Sequence, residues 1–241
     1  MYSIIDIGSN AIRLLVTTIV QKTKTTVVKS YRYPLRLGKD TFSLGKISDD
    51  TVSELTVALN DFKNFIKKSN SKYYYAVATS AIREALNSQG VLKNILQSTG
   101  IKINLIDGKT EAQYIYWGVS EELNLLNRNA LIIDIGGGSV EFIVSIKGDI
   151  KTVFTLKMGV VRLLELWNSR SSPSFEKFVI SKIRNQLAPL DSVKKVFKND
   201  KIKKIMVVTG GSGRALNQLW KEKLKHDKTK DLTISDIDKI I

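Results

Sequence analysis

The chain has 241 residues, 43% hydrophobic and 25% charged, which is apolar material enough for one large domain or two modest ones. It has no cysteine, so disulfides and thiolate metal centres are excluded and a reducing cytoplasm is the expected compartment; no apolar run approaches the length of a membrane span. The net charge of +15 favours polyanionic partners, namely nucleotides, phosphate chains, nucleic acid or an anionic membrane, although a general enrichment in Lys, Asn and Ile accounts for part of it.

The N-terminus opens directly in a strand pattern, without the basic-then-apolar layout of a signal peptide. Ile4-Ile-Asp6-Ile-Gly8 reads as a strand that delivers Asp6 to a small-residue loop, Gly8-Ser9-Asn10. An apolar strand through Arg13 follows, then a turn at residues 21–24 and a third strand from Thr25 to Tyr33. Ser48 caps a predicted helix running to about Lys68, with Val52, Leu55, Leu59 and Phe62 on one face. Tyr73 to Ala78 is a compact strand. It hands over at Thr79-Ser80 to a helix carrying Arg83, where the hydroxyls read either as simple N-caps or as part of an anion site.

A helix from Val91 to Thr99 stops at Gly100, and a strand from Ile101 to Ile106 ends in Asp107-Gly108. The next helix begins near Lys109 and carries Glu111 in its first turn. An acid is favoured there by the helix dipole, so capping is the plain alternative to a functional role. The charged, Asn-rich segment from Glu121 to Asn129 is the expected boundary, giving an N-terminal domain over 1–124 and a C-terminal domain over 125–241.

The second domain opens as the first does. Ile132-Ile-Asp134-Ile-Gly136 is identical over five residues to Ile4 through Gly8, and both continue into small residues, a strand, a turn and a further strand. Here the loop is Gly136-Gly137-Gly138-Ser139, followed by Glu141 within an apolar run. Bare glycine backbone lets peptide N–H groups approach a phosphate, whereas Asp134 would repel one unless a cation such as Mg²⁺ sat between them. Taken alone, the stretch reads equally well as a tight Gly-rich hairpin. The repeat at Asp6 favours two related halves, each with an Asp in its first loop.

Gly159 to Arg162 then leads into an apolar-periodic stretch ending at Trp167, and a helix is expected from about Phe175 to Leu187. Lys194 to Lys204 reads as a solvated basic connector and the lone His226 as exposed. Ile205 to Thr209 is a buried strand closing on Gly210-Gly211-Ser-Gly213, before a helix from Arg214 to Trp220; this is a second ready-made anion site. Leu232 to Ile241 begins an amphipathic helix, so the second half is expected to be shortened relative to the first.

Two duplicated halves with an Asp-and-glycine loop in each resemble the actin/hsp70/sugar-kinase superfamily. Within it the sequence is similar to the exopolyphosphatase / guanosine pentaphosphate phosphohydrolase (Ppx/GppA) family. The matching segments run from Asp6 to Leu14, Ala78 to Ala85, Asp107 to Ala112, Asp134 to Glu141, Met158 to Leu163 and Thr209 to Gly211, in the family's order. Thr110 stands where the family pattern has a second Glu, and Ala11 where it has Ser.

The resemblance implies an α/β fold of two duplicated actin-like (ribonuclease H-like) domains, with mixed sheets flanked by helices. It also implies hydrolysis of the terminal phosphoanhydride of polyphosphate or guanosine pentaphosphate. Glu111 would orient or deprotonate the attacking water, Asp6 and Asp134 would hold Mg²⁺ (or Mn²⁺), and Glu141 would support the metal or the water. Gly8, Ser9, Asn10, Thr79, Gly136, Gly137, Gly138, Ser139, Gly210 and Gly211 would line the phosphates, with Arg13 and Arg83 neutralising charge. A homodimer is the assembly the family implies; neither a membrane nor a specific nucleic-acid partner is expected. A non-catalytic sensor of polyphosphate or of guanosine penta- or tetraphosphate is the principal alternative, followed by a kinase of the same superfamily. A nucleic-acid binder accounts for the charge but not for the motifs.

Overall fold

In the computed structural model, residues 1–21, 24–168, 174–184, 186 and 204–224 are described. The first half opens with β1 (Tyr2–Ile7), β2 (Ile12–Gln21) and β3 (Lys24–Tyr33), an antiparallel meander. Helices α1 (Leu37–Leu44) and α2 (Asp49–Lys68) follow, then β4 (Tyr73–Ala78), α3 (Ser80–Glu84), α4 (Ser88–Thr99) and β5 (Ile103–Leu105). Strands β4 and β5 add in parallel, giving the sheet order β3-β2-β1-β4-β5.

Helix α5 (Gly108–Glu122) leads to the second meander, β6 (Asn129–Ile135), β7 (Val140–Ile146) and β8 (Asp149–Leu156). Then come α6 (Val160–Asn168), α7 (Phe175–Arg184), β9 (Lys204–Thr209) and α8 (Gly210–Leu224). Among the described residues the second sheet has the order β8-β7-β6-β9, with β9 parallel to β6.

The expected duplication extends to register. Asp6 stands opposite Arg13 on β2, and Asp134 opposite Glu141 on β7. The connecting loops close alike, Gly8 N–H donating to the Ala11 carbonyl at 3.1 Å and Gly136 N–H to the Ser139 carbonyl at 3.0 Å.

The Ser48 cap operates as the sequence predicts, its hydroxyl accepting from Thr51 N–H, and the α2 stripe Val52, Leu55, Leu59 and Phe62 packs into the first core with Ile5, Ile7, Ile12 and Leu14. Helix α1 has no counterpart in the sequence reading. Its N-cap is Arg36, which makes no side-chain cap, so the usual start signal is missing, yet Leu37 and Thr41 are buried. The Gly210–Gly213 stretch also differs from expectation: it forms the first turn of α8 rather than a separate loop, because Gly210 makes the sharp bend itself at φ +83°.

Although it follows β5, α5 packs against β7 and β8. Its Ala112, Tyr116 and Val119 form a core with Ala130, Ile132 and Ile143 of the second sheet, and Ile205 and Val207 pack against it. The matching face of the first sheet, read through the two registers, carries Tyr2, Ile4, Tyr73 and Tyr75 in the places of Ala130, Ile132, Ile205 and Val207. These four are exposed. The opposite face of the second sheet forms a third core, in which Val140, Leu156 and Met158 meet Leu163 and Phe178.

The predicted basic connector before Lys204, His226 and the helix from Leu232 lie outside the described residues. Among those described, no helix is long and apolar enough to cross a membrane.

Candidate active site

The two hairpin loops meet directly. A Cβ on Gly137 would lie 3.1 Å from Ser9 Cβ and 3.2 Å from Asn10 N, and one on Gly138 would fall 2.1 Å from Ser80 Oγ and 2.7 Å from Phe42. Only glycine permits this approach. Ser9 and Ser80 are themselves buried and share a hydrogen bond of 2.9 Å between hydroxyls, so the Ser9 side chain is committed within its own half. Thr79 is buried as well, with its N–H donating to the Ile7 carbonyl at 3.2 Å.

Helix α6 fixes the orientation of the second loop. The Gly136 carbonyl accepts from Val160 N–H at 3.1 Å, and the Gly137 carbonyl from Val161 and Arg162 N–H at 2.9 and 3.1 Å. The Gly138 carbonyl accepts from Arg162 Nε at 2.7 Å. Each peptide here is trans, so its N–H points opposite to its carbonyl. The N–H groups of Gly137, Gly138 and Ser139 therefore turn away from α6, the arrangement an anion-binding nest requires.

Carboxylates gather beside this loop because they stand at equivalent strand ends and at the first turn of the crossing helix. Glu141 is fully buried, and neither of its oxygens has a hydrogen-bond partner. Burial pushes its pKa up to about 7; the nearby Ser139 hydroxyl pulls it down without a bond of ordinary geometry, and Asp134 adds to the rise. Glu111 is raised further, to about 8, first by burial and then by the charge of Glu141, with Asp6 and Asp134 contributing and Arg83 opposing. Its Oε2 lies 3.7 Å from Arg83 Nη1 but makes no hydrogen bond. Asp6 is also raised, by burial, against the pull of Arg13, whose Nη1 sits 3.3 Å from Asp6 Oδ2. Asp134 accepts from the Thr209 hydroxyl, and Gly210, at the head of α8, lies close beside it.

Several contacts that hold this arrangement have no counterpart in the sequence reading, which gives Arg83 a charge role only. Arg83 donates to the Ile106 carbonyl, which ties α3 to the start of α5. Arg162 donates through Nη2 to Glu84 Oε1 at 2.8 Å, and its guanidinium lies 3.9 Å from the Phe42 ring centroid. Burial works to raise Glu84, but Arg162 and Lys157 outweigh it and hold its pKa below the usual carboxylate value. The motif from Met158 to Arg162 was the available signal for Arg162; its partners lie roughly 80 and 120 positions earlier and carry none.

The profile of the Ppx/GppA phosphatase family matches residues 15–241. The chain belongs to this family. Exopolyphosphatase 1 of Mycobacterium tuberculosis (strain H37Rv) is 30% identical over 164 residues, covering 68% of the chain and 48% of that protein. The guanosine-5'-triphosphate,3'-diphosphate pyrophosphatase of Photobacterium profundum is 27% identical over 192 residues, covering 79% of the chain and 38% of that protein. The chain thus spans about half or less of the curated relatives it matches. The exopolyphosphatase crystal structure from Cytophaga hutchinsonii superposes with a TM-score of 0.85 at 23% identity, over 99% of the chain and 78% of that structure. This likeness establishes the fold: two α/β units with mixed sheets, as expected for a Ppx/GppA protein.

A divalent cation fits the donor set of this Ppx/GppA chain. Glu141 and Glu111 present buried carboxylate oxygens without a hydrogen bond, and the charges of Glu141, Asp6 and Asp134 raise the proton affinity of Glu111. Among the described residues no three acids stand close enough together to chelate an ion by themselves. A divalent cation there would complete its shell with water and substrate phosphates.

Proposed function

We propose that the protein is a phosphohydrolase that releases the terminal orthophosphate of inorganic polyphosphate or guanosine pentaphosphate in the cleft between its two halves. The observation that carries this reading is the pair of acids Glu111 and Glu141, with Oε2 of the first and both oxygens of the second buried without a hydrogen bond, beside the outward-turned amides of Gly137, Gly138 and Ser139. One arrangement thus offers a proton acceptor and a phosphate cradle. The family relatives act on those two substrates by name.

Asp134 and Asp6 would hold Mg²⁺, with Glu141 supporting it; the ion would offset phosphate charge and polarise the terminal phosphoryl group. Gly8 and Gly136 close the two loops with their own N–H groups, and the amides of Ser9, Asn10, Gly137, Gly138 and Ser139, with the first turn of α8 at Gly210-Gly211, donate to the phosphate oxygens. Arg83, which α3 holds facing Glu111, balances charge on the transferred group, and Arg13 does so from the first hairpin. Glu111 takes a proton from the attacking water as the new P–O bond forms and the bridging P–O bond breaks, leaving the shortened chain or nucleotide as the departing oxyanion. Neutralising the neighbouring acids removes part of the push that holds Glu111 protonated, so the base becomes competent when the site is loaded.

Colorimetric phosphate release from both substrates, with and without Mg²⁺, tests the reading, with calorimetric binding run alongside. Magnesium-dependent release supports it, and saturable binding without release replaces it with a sensor.

A further inference from the structure

The glycine loop of the second half is fastened to the first half through one side chain. Arg162, in the first turn of α6, donates from Nε to the Gly138 carbonyl at 2.7 Å and from Nη2 to Glu84 Oε1 at 2.8 Å, and lies 3.9 Å above the Phe42 ring. Gly138 belongs to the second half; Glu84 and Phe42 belong to the first. The Arg162 side chain is 12% exposed, so these contacts are shielded from competing water. Lys157 also reaches Glu84, at 3.2 Å, but is 71% exposed and adds little.

The chemistry of the fork matters. A guanidinium presents donors in a fixed plane, so one group can satisfy a carbonyl and a carboxylate in set directions while stacking on a ring; an ammonium is a point charge and cannot do all three. On the far side, Glu84 is the last residue of α3, a helix of five residues, and Arg83 precedes it. Arg83 in turn faces Glu111. Over so short an element, neighbouring residues move together. A continuous path therefore runs from the Gly138 peptide through Arg162 and Glu84 to Arg83.

We propose that Arg162 is a positioning residue that locks the Gly136–Ser139 loop to the Arg83-bearing helix across the cleft, so that the loop amides and Arg83 meet one phosphate group in fixed register. The proposal rests on the phosphohydrolase reading for its kinetic consequence only.

The test compares the unaltered chain with Arg162→Lys, Glu84→Gln, Glu84→Ala, the Arg162→Lys/Glu84→Ala double variant and Lys157→Ala. Three quantities are read: hydrogen exchange of the Gly136, Val160 and Val161 amides, whose bonds close the loop and hold it to α6, calorimetric binding of inorganic polyphosphate, and kcat and KM for phosphate release. Arg162→Lys is expected to speed exchange of the loop about tenfold while β1 and β6 stay protected. It should lower kcat about a hundredfold, as a misplacement of roughly 1 Å does, with a smaller change in KM. Glu84→Ala should do the same, and the double variant should be no worse than the worse single one. Lys157→Ala should match the parent.

A parental loop exchange rate and kcat in Arg162→Lys, or losses that simply add in the double variant, overturns the proposal. So does faster exchange throughout both sheets, which marks a purely structural residue. Glu84→Gln keeps the shape and serves where a harsher variant does not fold: it must loosen the loop measurably. If the parent releases no phosphate from either substrate, the phosphohydrolase reading fails, and the exchange comparison still decides the lock.

Discussion

Arg13 and Glu141 occupy the same place in the two halves, each directly across its hairpin from the Asp that closes the central strand. The charge at that place is inverted. In the first hairpin Arg13 neutralises Asp6 at 3.3 Å, whereas in the second Glu141 faces Asp134 and has no partner. The same register thus presents a compensated ion pair in the first half and two facing acids in the second.

Glu141→Gln should therefore stabilise the metal-free protein. The change removes a buried carboxylate whose proton affinity is raised to about 7. A gain of roughly 1–3 kcal/mol near pH 8 is expected, reduced by the cost of an unsatisfied amide. Chemical denaturation measures it. The stabilisation by Mg²⁺ should disappear in the same variant, and an unchanged response to Mg²⁺ would exclude Glu141 from the cation site.

The pH dependence of stability follows from the same two acids. Glu111 and Glu141 rise from an ordinary 4.5 to about 8 and about 7, so the folded state keeps protons that the unfolded state gives up. Raising pH through that window favours unfolding. Glu84 and Asp40 shift downward, so their titration lies at more acid pH and does not mask the trend. The melting temperature of the metal-free protein should fall between pH 5 and pH 8, and Mg²⁺ should restore more of it at pH 8 than at pH 5. A flat profile in differential scanning fluorimetry would contradict the burial that raises both acids.

Glu111→Gln should lower kcat for phosphate release by about 10²–10⁴-fold, the usual contribution of a positioned proton acceptor, with little loss of substrate binding. Stopped-time phosphate assays and calorimetry separate the two quantities. Near-parental turnover would remove Glu111 from its assigned role.

Two glycine substitutions should act in opposite directions. A Cβ on Gly159 would sit 2.4 Å from the Gly137 carbonyl carbon, a backbone atom that cannot step aside, so Gly159→Ala should cost about 3 kcal/mol or more. Gly90, inside α4, has nothing within 4 Å of its Cβ position, and Gly90→Ala should stabilise by about 0.5–1 kcal/mol. Thermal melts of the two variants suffice.

Much of the fold was legible because the repeat at Asp6 and Asp134 carries its own strand-loop-strand context, and because the acids stand at strand ends and in a helix's first turn. Helix α1 was not legible, since Arg36 gives no cap signal. Nor was the destination of α5: an apolar stripe states which side of a helix is buried, not which sheet buries it. The link from Arg162 to Glu84 and Phe42 was out of reach for a related reason, because contacts spanning 78 residues and more leave no local pattern. The glycines of α8 misled because a run that usually marks a loop here starts the helix outright, once Gly210 has made the bend.

Helix α5 leaves the first sheet at the Asp107 cap and lies along the second, so it is a joint held in common by the two halves. Glu111, in its first turn, lies 3.7 Å from Arg83 of the first half, while the next residue, Ala112, is packed into the core of the second. A repacking of that second core would therefore be felt one residue away, at a carboxylate whose nearest cation belongs to the other half.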